Sequence, residues 1–129
     1  MSGLPLIVIV DDDVMVSEAT KDLVEAFGFE ARTFTSADEF LNSDCVAGTS
    51  CLIADVQMPG TNGLQLHRKL VVSGHHIPVI FITAFPDERV RKRALRAGAV
   101  CCLSKPFDAE SLRSWIRAAL ELDKNTTNA

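Results

Sequence analysis

Acids, one hydroxyl and one lysine stand where short apolar runs end. Asp11-Asp12-Asp13 follows Leu6–Val10, Asp55 follows residues 51–54, Thr83 follows residues 79–82, and Lys105-Pro106 comes just after residues 100–103. If these groups converge in a partly dry cleft, the carboxylates repel one another and must either hold protons or bind a cation. A hard divalent ion with oxygen ligands meets that need, and Mg²⁺ is the usual one beside phosphate. A carboxylate can also attack phosphorus and form an aspartyl phosphate. That chemistry needs a metal to neutralise phosphate oxygens, a second cation to hold another oxygen and a hydroxyl to hold a third. Lys105 can supply the second cation and Thr83 the hydroxyl.

Convergence depends on the elements that carry these residues. Residues 6–10, 51–54, 79–82 and 100–103 are continuous apolar runs, the pattern of strands buried on both faces. Residues 30–34 alternate, which suits an edge strand with one wetter face. Between these five strands the period becomes helical. Met15, Ala19, Leu23, Ala26 and Phe27 form the expected inner face of a first helix that Gly28 stops. Ser36 and Glu39 offer a capping box ahead of Phe40 and Leu41. Asn62-Gly63 precedes a helix carrying Leu66 and Leu70. Pro86 and Asp87 open a fourth, with Val90, Ala94 and Ala97 inward and Gly98 at its end. Asp108 can cap a fifth, whose Leu112, Trp115, Ile116, Ala119 and Leu120 recur on one face. Strict β-α alternation predicts a parallel sheet covered by helices on both faces, with ligands outside the carboxyl ends of the strands.

The chain of 129 residues, 47% hydrophobic and 23% charged, is of single-domain size and globular in composition. Its net charge of −4 argues against nucleic-acid binding, and no apolar run reaches the length of a membrane span. The start lacks the basic region of a signal peptide. Cys45, Cys51, Cys101 and Cys102 show no metal-like spacing and read as reduced thiols of a cytoplasmic protein. One domain over residues 1–124 and a polar tail over 125–129 are expected.

Four segments carry a resemblance. Val8-Ile9-Val10-Asp11-Asp12, Ile53 to Gly60 (with Asp55, Met58 and Pro59), Ile82-Thr83-Ala84 and Lys105-Pro106-Phe107 are similar to the motifs of bacterial response-regulator receiver domains. The likeness covers about residues 5–122. Ser36-Ala37-Asp38-Glu39-Phe40-Leu41 and Ala97-Gly98-Ala99 resemble most the receivers of nitrogen-fixation-type regulators, which often precede a helix-turn-helix module.

The resemblance implies a flavodoxin-like doubly wound (βα)5 sandwich, its parallel strands in the order 2-1-3-4-5. It implies that Asp55 is the phosphoacceptor for a sensor histidine kinase. Asp12 and Asp55 would ligate Mg²⁺ directly with the Gln57 backbone carbonyl, and Asp11 would act through water. Lys105 would bind the phosphoryl group, Thr83 would turn toward it, and the Lys105-Pro106 peptide would be cis. Output would pass through the fourth helix, fifth strand and fifth helix to an effector, an attached domain or a second copy. Such a protein is a signalling switch rather than an enzyme.

Plainer readings stand beside these. A strand-end Asp is commonly a turn or cap residue, and Asp13 is read as the cap of the first helix. The basic run Arg89, Arg91, Lys92, Arg93, Arg96 gives residues 86–98 a net charge of +3; it reads first as a solvated face and second as a docking surface for an acidic partner. His67, His75 and His76 read as surface residues. The sequence also departs from the family, because Cys102 takes a switch position usually held by Tyr or Phe. With no ring to report the event, the segment after Thr83 is expected to carry the change. Bulky Phe85 is expected to hinder hydrolytic water and lengthen the phosphorylated lifetime. The competing class is a haloacid-dehalogenase-like phosphatase with Asp11 as nucleophile, to which Asp11-x-Asp13 superficially conforms; Met15 and the absence of a Gly-Asp-x-x-x-Asp motif count against it.

Overall fold

The computed structural model describes residues 3–85 and 87–127, with side-chain surroundings described as far as Asp123. Five strands, β1 (Leu6–Val10), β2 (Glu30–Phe34), β3 (Thr49–Asp55), β4 (Val79–Thr83) and β5 (Cys101–Ser104), alternate with five helices. The helices are α1 (Val14–Ala26), α2 (Ala37–Leu41), α3 (Gly63–Val72), α4 (Glu88–Arg96) and α5 (Ala109–Thr127). All strand pairs are parallel, in the order β2-β1-β3-β4-β5, which is the expected order. Pro86, read as opening the fourth helix, lies outside the described residues, as do Asn128 and Ala129 of the expected tail. The helical backbone of α5 continues to Thr127.

The side-chain alternation of a strand sorts the core into two layers. Ile7, Ile9, Ile53, Ile80 and Ile82 point to one face, where Val24 of α1 and Leu112, Ile116 and Ala119 of α5 cover them. Val8, Val10, Leu52, Ala54 and Phe81 point to the other, beneath Phe40 of α2, Leu66 and Leu70 of α3 and Ala94 of α4. Burying a side chain such as Leu112 or Ile116 contributes about 1.5–3 kcal/mol. Both layers therefore pin the sheet that holds the strand ends in line.

Caps fix where the helices begin. Asp13 Oδ1 accepts from the Met15 and Val16 amides and caps α1, as read. Asp108 Oδ1 accepts from Ser111 N at 2.8 Å and caps α5. Asn62 and Gln65 form a complete reciprocal capping box on α3. The box expected at Ser36 is half formed: Ser36 Oγ accepts from Glu39 N, but the Glu39 carboxylate turns to Thr35 N.

Several packing expectations are corrected. On α1 the inner face is Ser17, Thr20 and Val24, with Leu23 and Phe27 half-buried, whereas Met15 is 83% exposed and Ala19 and Ala26 are exposed. Thr20 can lie inward because its hydroxyl donates to Val16 O at 2.7 Å, a solution that apolar periodicity does not reveal. Ala97 is exposed at the end of α4, and Trp115 keeps part of its ring in solvent on α5. The fifth strand is an edge, so Cys102 and Leu103 are only half-buried. His67 is buried, not superficial: with Gly63, Leu66 and Leu70 it completes an inner helical stripe, and its ring meets Phe81 edge-on at 6.0 Å.

Candidate functional site

The register places the strand ends side by side. Val10 pairs with Ala54, Asp55 with Ile82 and Thr83 with Ser104. Asp11, Asp12, Asp55, Thr83 and Lys105 therefore emerge at one rim of the sheet. Backbone bonds continue past the strands: Asp11 N donates to Phe34 O, Val56 N to Ile82 O and Lys105 N to Thr83 O. The Lys105-Pro106 peptide is cis, as expected.

Lys105 reaches across β4 to the acids. Its Nζ lies 2.7 Å from Asp55 Oδ2 and 2.9 Å from Asp11 Oδ2. The other oxygens are held locally, Asp55 Oδ1 by Gln57 N at 2.8 Å and Asp11 Oδ1 by Asp13 N at 2.9 Å. Asp11 is fully buried, Asp55 is 5% exposed and Asp12 lies at the open edge. Burial raises the Asp55 pKa above the ordinary carboxylate value; the Lys105 and Gln57 hydrogen bonds oppose that, while the charge of Asp11 adds to it. For Lys105 burial works against the charged form, but hydrogen bonds and attraction from Asp55 and Asp11 outweigh it and raise its pKa. The two shifts thus have different main causes, burial at Asp55 and the neighbouring carboxylates at Lys105.

Carboxylate oxygens of Asp11, Asp12 and Asp55 all lie within 4.8 Å of one another. One ammonium stands against these three acids, within ion-pair distance of Asp55 and Asp11. An all-oxygen donor set with unbalanced negative charge fits a hard divalent cation. Gln57 stands at the cluster through its amide, with its side chain exposed.

Thr83 is 2% exposed, and its hydroxyl accepts from Phe85 N at 3.1 Å, so it faces its own loop. The Phe85 ring is 67% exposed. Cys102 stands opposite Phe81 on the neighbouring strand and lines a cleft of 220 Å³ with Thr83, Asp87, Glu88, Arg91 and Ser104. Burial pushes the Cys102 thiol pKa up, against the opposing charge of Arg91. Cys101 is pushed up to about 12, burial being the larger cause and Cys102 the smaller. All four cysteines are free.

One positioning residue escaped the sequence reading. A Cβ on Gly63 would overlap the Asp55 backbone carbonyl oxygen and lie 3.3 Å from Phe81 Cδ1. The start of α3 thus rests directly on the strand end that carries Asp55. The dipeptide Asn62-Gly63 was visible as a helix start, but only the tertiary contact explains the glycine.

The family model described as "Response regulator receiver domain" matches residues 7–117. The response regulator protein TmoT of Ectopseudomonas mendocina is 44% identical over 117 residues, covering 91% of this chain and 53% of that protein. The transcriptional regulatory protein FixJ of Azorhizobium caulinodans is 38% identical over 112 residues, covering 87% and 53% respectively. Among solved structures, response regulator StyR superimposes with a TM-score of 0.89 at 36% identity, covering 98% of this chain and 64% of that one. FixJ-N gives 0.82 at 30% identity, covering 94% and 96%. The chain spans about half the length of the sequence relatives it matches. With the family model covering most of its residues and the strand-end acids and lysine meeting at one rim, the chain belongs to the response regulator receiver domain family.

Proposed function

We propose that this domain is a phosphorylation switch of a two-component system, with Asp55 as the phosphoacceptor. The observation that carries the reading is the Lys105 ammonium held between the Asp55 and Asp11 carboxylates beside Asp12. An Asp55 oxygen would attack the phosphorus of a phosphohistidine on a sensor kinase. The new acyl-phosphate bond forms as the P–N bond breaks, and the departing imidazole takes up a proton. Asp12 and Asp55 would hold Mg²⁺ directly with the Gln57 backbone carbonyl, and Asp11 would act through water. When bound, that ion neutralises phosphate oxygens. Lys105 would move its hydrogen bond from the Asp55 carboxylate to the phosphoryl group, whose added negative charge it meets without reorienting far.

Thr83 would turn its hydroxyl to the phosphoryl group and so release the Phe85 amide it now holds. That loss is the physical reason for assigning the response to residues 84–98 rather than to Cys102, which has no ring to swing. Superposition of resting and activated forms tests this: identical backbones over residues 84–98 would refute it. The exposed surface of α4, β5 and α5 would pass the signal to an effector, an attached output domain or, on phosphorylation, a second copy. Several relatives are named transcriptional regulators, among them FixJ and DctD. DNA binding would then belong to another segment, and a reducing cytoplasmic setting suits the four free thiols.

The phosphatase reading gains no support from the comparisons. Incubation with acetyl phosphate and Mg²⁺, followed by mapping of the modified residue, separates the two. Modification of Asp55, lost in Asp55→Asn, is expected; turnover through a modified Asp11 would overturn the proposal.

A further inference from the structure

A groove between α3 and α4 lies on the opposite flank of α4 from the Cys102 cleft and shares with the basic run of α4 only Arg93. Two adjoining hollows of 280 and 190 Å³ share Leu64, Arg68 and Arg93 as walls. Val71 and Val72, 44% and 81% exposed, add apolar surface at one end, and Asn62 and Gln65 stand at the other. Among the described residues, neither Arg68 nor Arg93 has an ion-pair partner. The helices α3 and α4 together carry seven basic residues and one acidic residue, in a chain whose net charge is −4. Of these, Arg68 and Arg93 line the groove, and no acidic residue lines either hollow.

We infer that this groove is a docking site for an acidic amphipathic helix of a partner protein. Its walls are helices whose backbone groups are already paired, so an extended peptide would find no sheet edge to join. A helix brings its own backbone satisfied and presents anchors at i, i+3, i+4 and i+7. The ten residues of α3 give a trough about 15 Å long, room for two to three turns. Leucine-sized anchors fit over Leu64, Val71 and Val72, and flanking carboxylates meet the two guanidinium groups. The trough is preformed: His67 forms its floor, packed on Phe81, with Cε1 3.8 Å from where a Gly98 Cβ would stand. Little ordering is needed on binding, which favours affinity.

A second copy is the competing occupant, because α1 exposes Val14 and Met15 beside Glu18, Asp22 and Glu25. Seating α1 of one copy on α3 and α4 of another joins two different surfaces, which gives rings or open chains rather than a two-fold dimer. A separate partner avoids that.

The test uses a synthetic 15-residue peptide of Glu, Leu and Ala, with Leu on one helical stripe and Glu flanking it, titrated into the full chain by fluorescence anisotropy. Arg68→Glu combined with Arg93→Glu should weaken binding about tenfold or more, as should Val72→Asp, with circular dichroism spectra unchanged. Arg91→Glu, on the other flank of α4, should weaken it less than about threefold. Equal affinity for a same-composition peptide with the stripe scrambled, or an equal loss in Arg91→Glu, would reduce the effect to diffuse charge attraction and overturn the inference. Self-association of the chain alone that Arg68→Glu abolishes would overturn it in favour of a second copy.

Discussion

Lys105 Nζ lies 2.7 Å from Asp55 Oδ2 across fifty residues of sequence, and the same ammonium sits 2.9 Å from Asp11 Oδ2. One cation thus holds together the ends of β1, β3 and β5. Breaking a buried ion pair from one side costs about 3–5 kcal/mol. With Lys105 14% exposed at an open rim, the lower end of that range is expected for Lys105→Met in urea unfolding at pH 7. At a pH low enough to protonate Asp55 the deficit should shrink, since its repulsion with Asp11 is then removed. A deficit unchanged between the two conditions would trace the loss to the lysine stem instead.

Gly63 has no room for a methyl group over the Asp55 carbonyl. In an exposed helix Gly→Ala gains about 1 kcal/mol in propensity. Here overpacking, about 1–3 kcal/mol, opposes that gain and should exceed it. Gly63→Ala is expected to lower the unfolding midpoint and to slow phosphorylation of Asp55 by displacing its strand end. A raised midpoint with normal phosphorylation would show that α3 moves aside freely.

Burial lowers the His67 pKa below its ordinary 6.5. Above that value both folded and unfolded chains hold a neutral ring, and His67 has no pH effect. Below it the unfolded chain takes up a proton that the folded one resists, so stability falls with pH until the folded ring also protonates. His67→Phe should therefore flatten the difference in stability between pH 7.5 and 5.5. Parallel profiles for the two proteins would remove His67 as the cause.

Asp12 is the exposed member of the acidic cluster, and its loss should leave folding nearly intact. Divalent binding should stabilise the domain, by about 1.4 kcal/mol at ten times the dissociation constant. Thermal unfolding with and without MgCl₂ is expected to show that gain in the wild type, its reversal by EDTA and its loss in Asp12→Asn. An undiminished shift in Asp12→Asn would place the ion elsewhere.

The Phe85 ring stands in solvent two residues after Thr83, and under the proposed function it would flank the path of the water that attacks the phosphoryl group. Phe85→Ala should speed the loss of phosphate from Asp55 severalfold, followed by phosphate release after removal of the donor. An unchanged or slower rate counts against the shielding role.

The sequence by itself determined the strands, the doubly wound class and the identity of the strand-end acids, threonine and lysine. Apolar runs and helical periods are local signals, and the motifs lie within a few residues of them. Asp13 and Asp108 were legible as caps for the same reason, since a cap acts on its own first turn. Which face of α1 points inward was not, because Thr20 satisfies its hydroxyl within the helix and mimics an apolar residue. The burial of His67 was missed although it stands at helical spacing from Gly63, Leu66 and Leu70, because a polar ring is not counted in an apolar pattern. The Lys105 bridge, the fit of Gly63 against Asp55, the tie between Thr83 and Phe85 and the basic groove between α3 and α4 were decided by tertiary structure alone. Each depends on distances between segments remote in sequence, and those are fixed only when the sheet order and both helical layers come together.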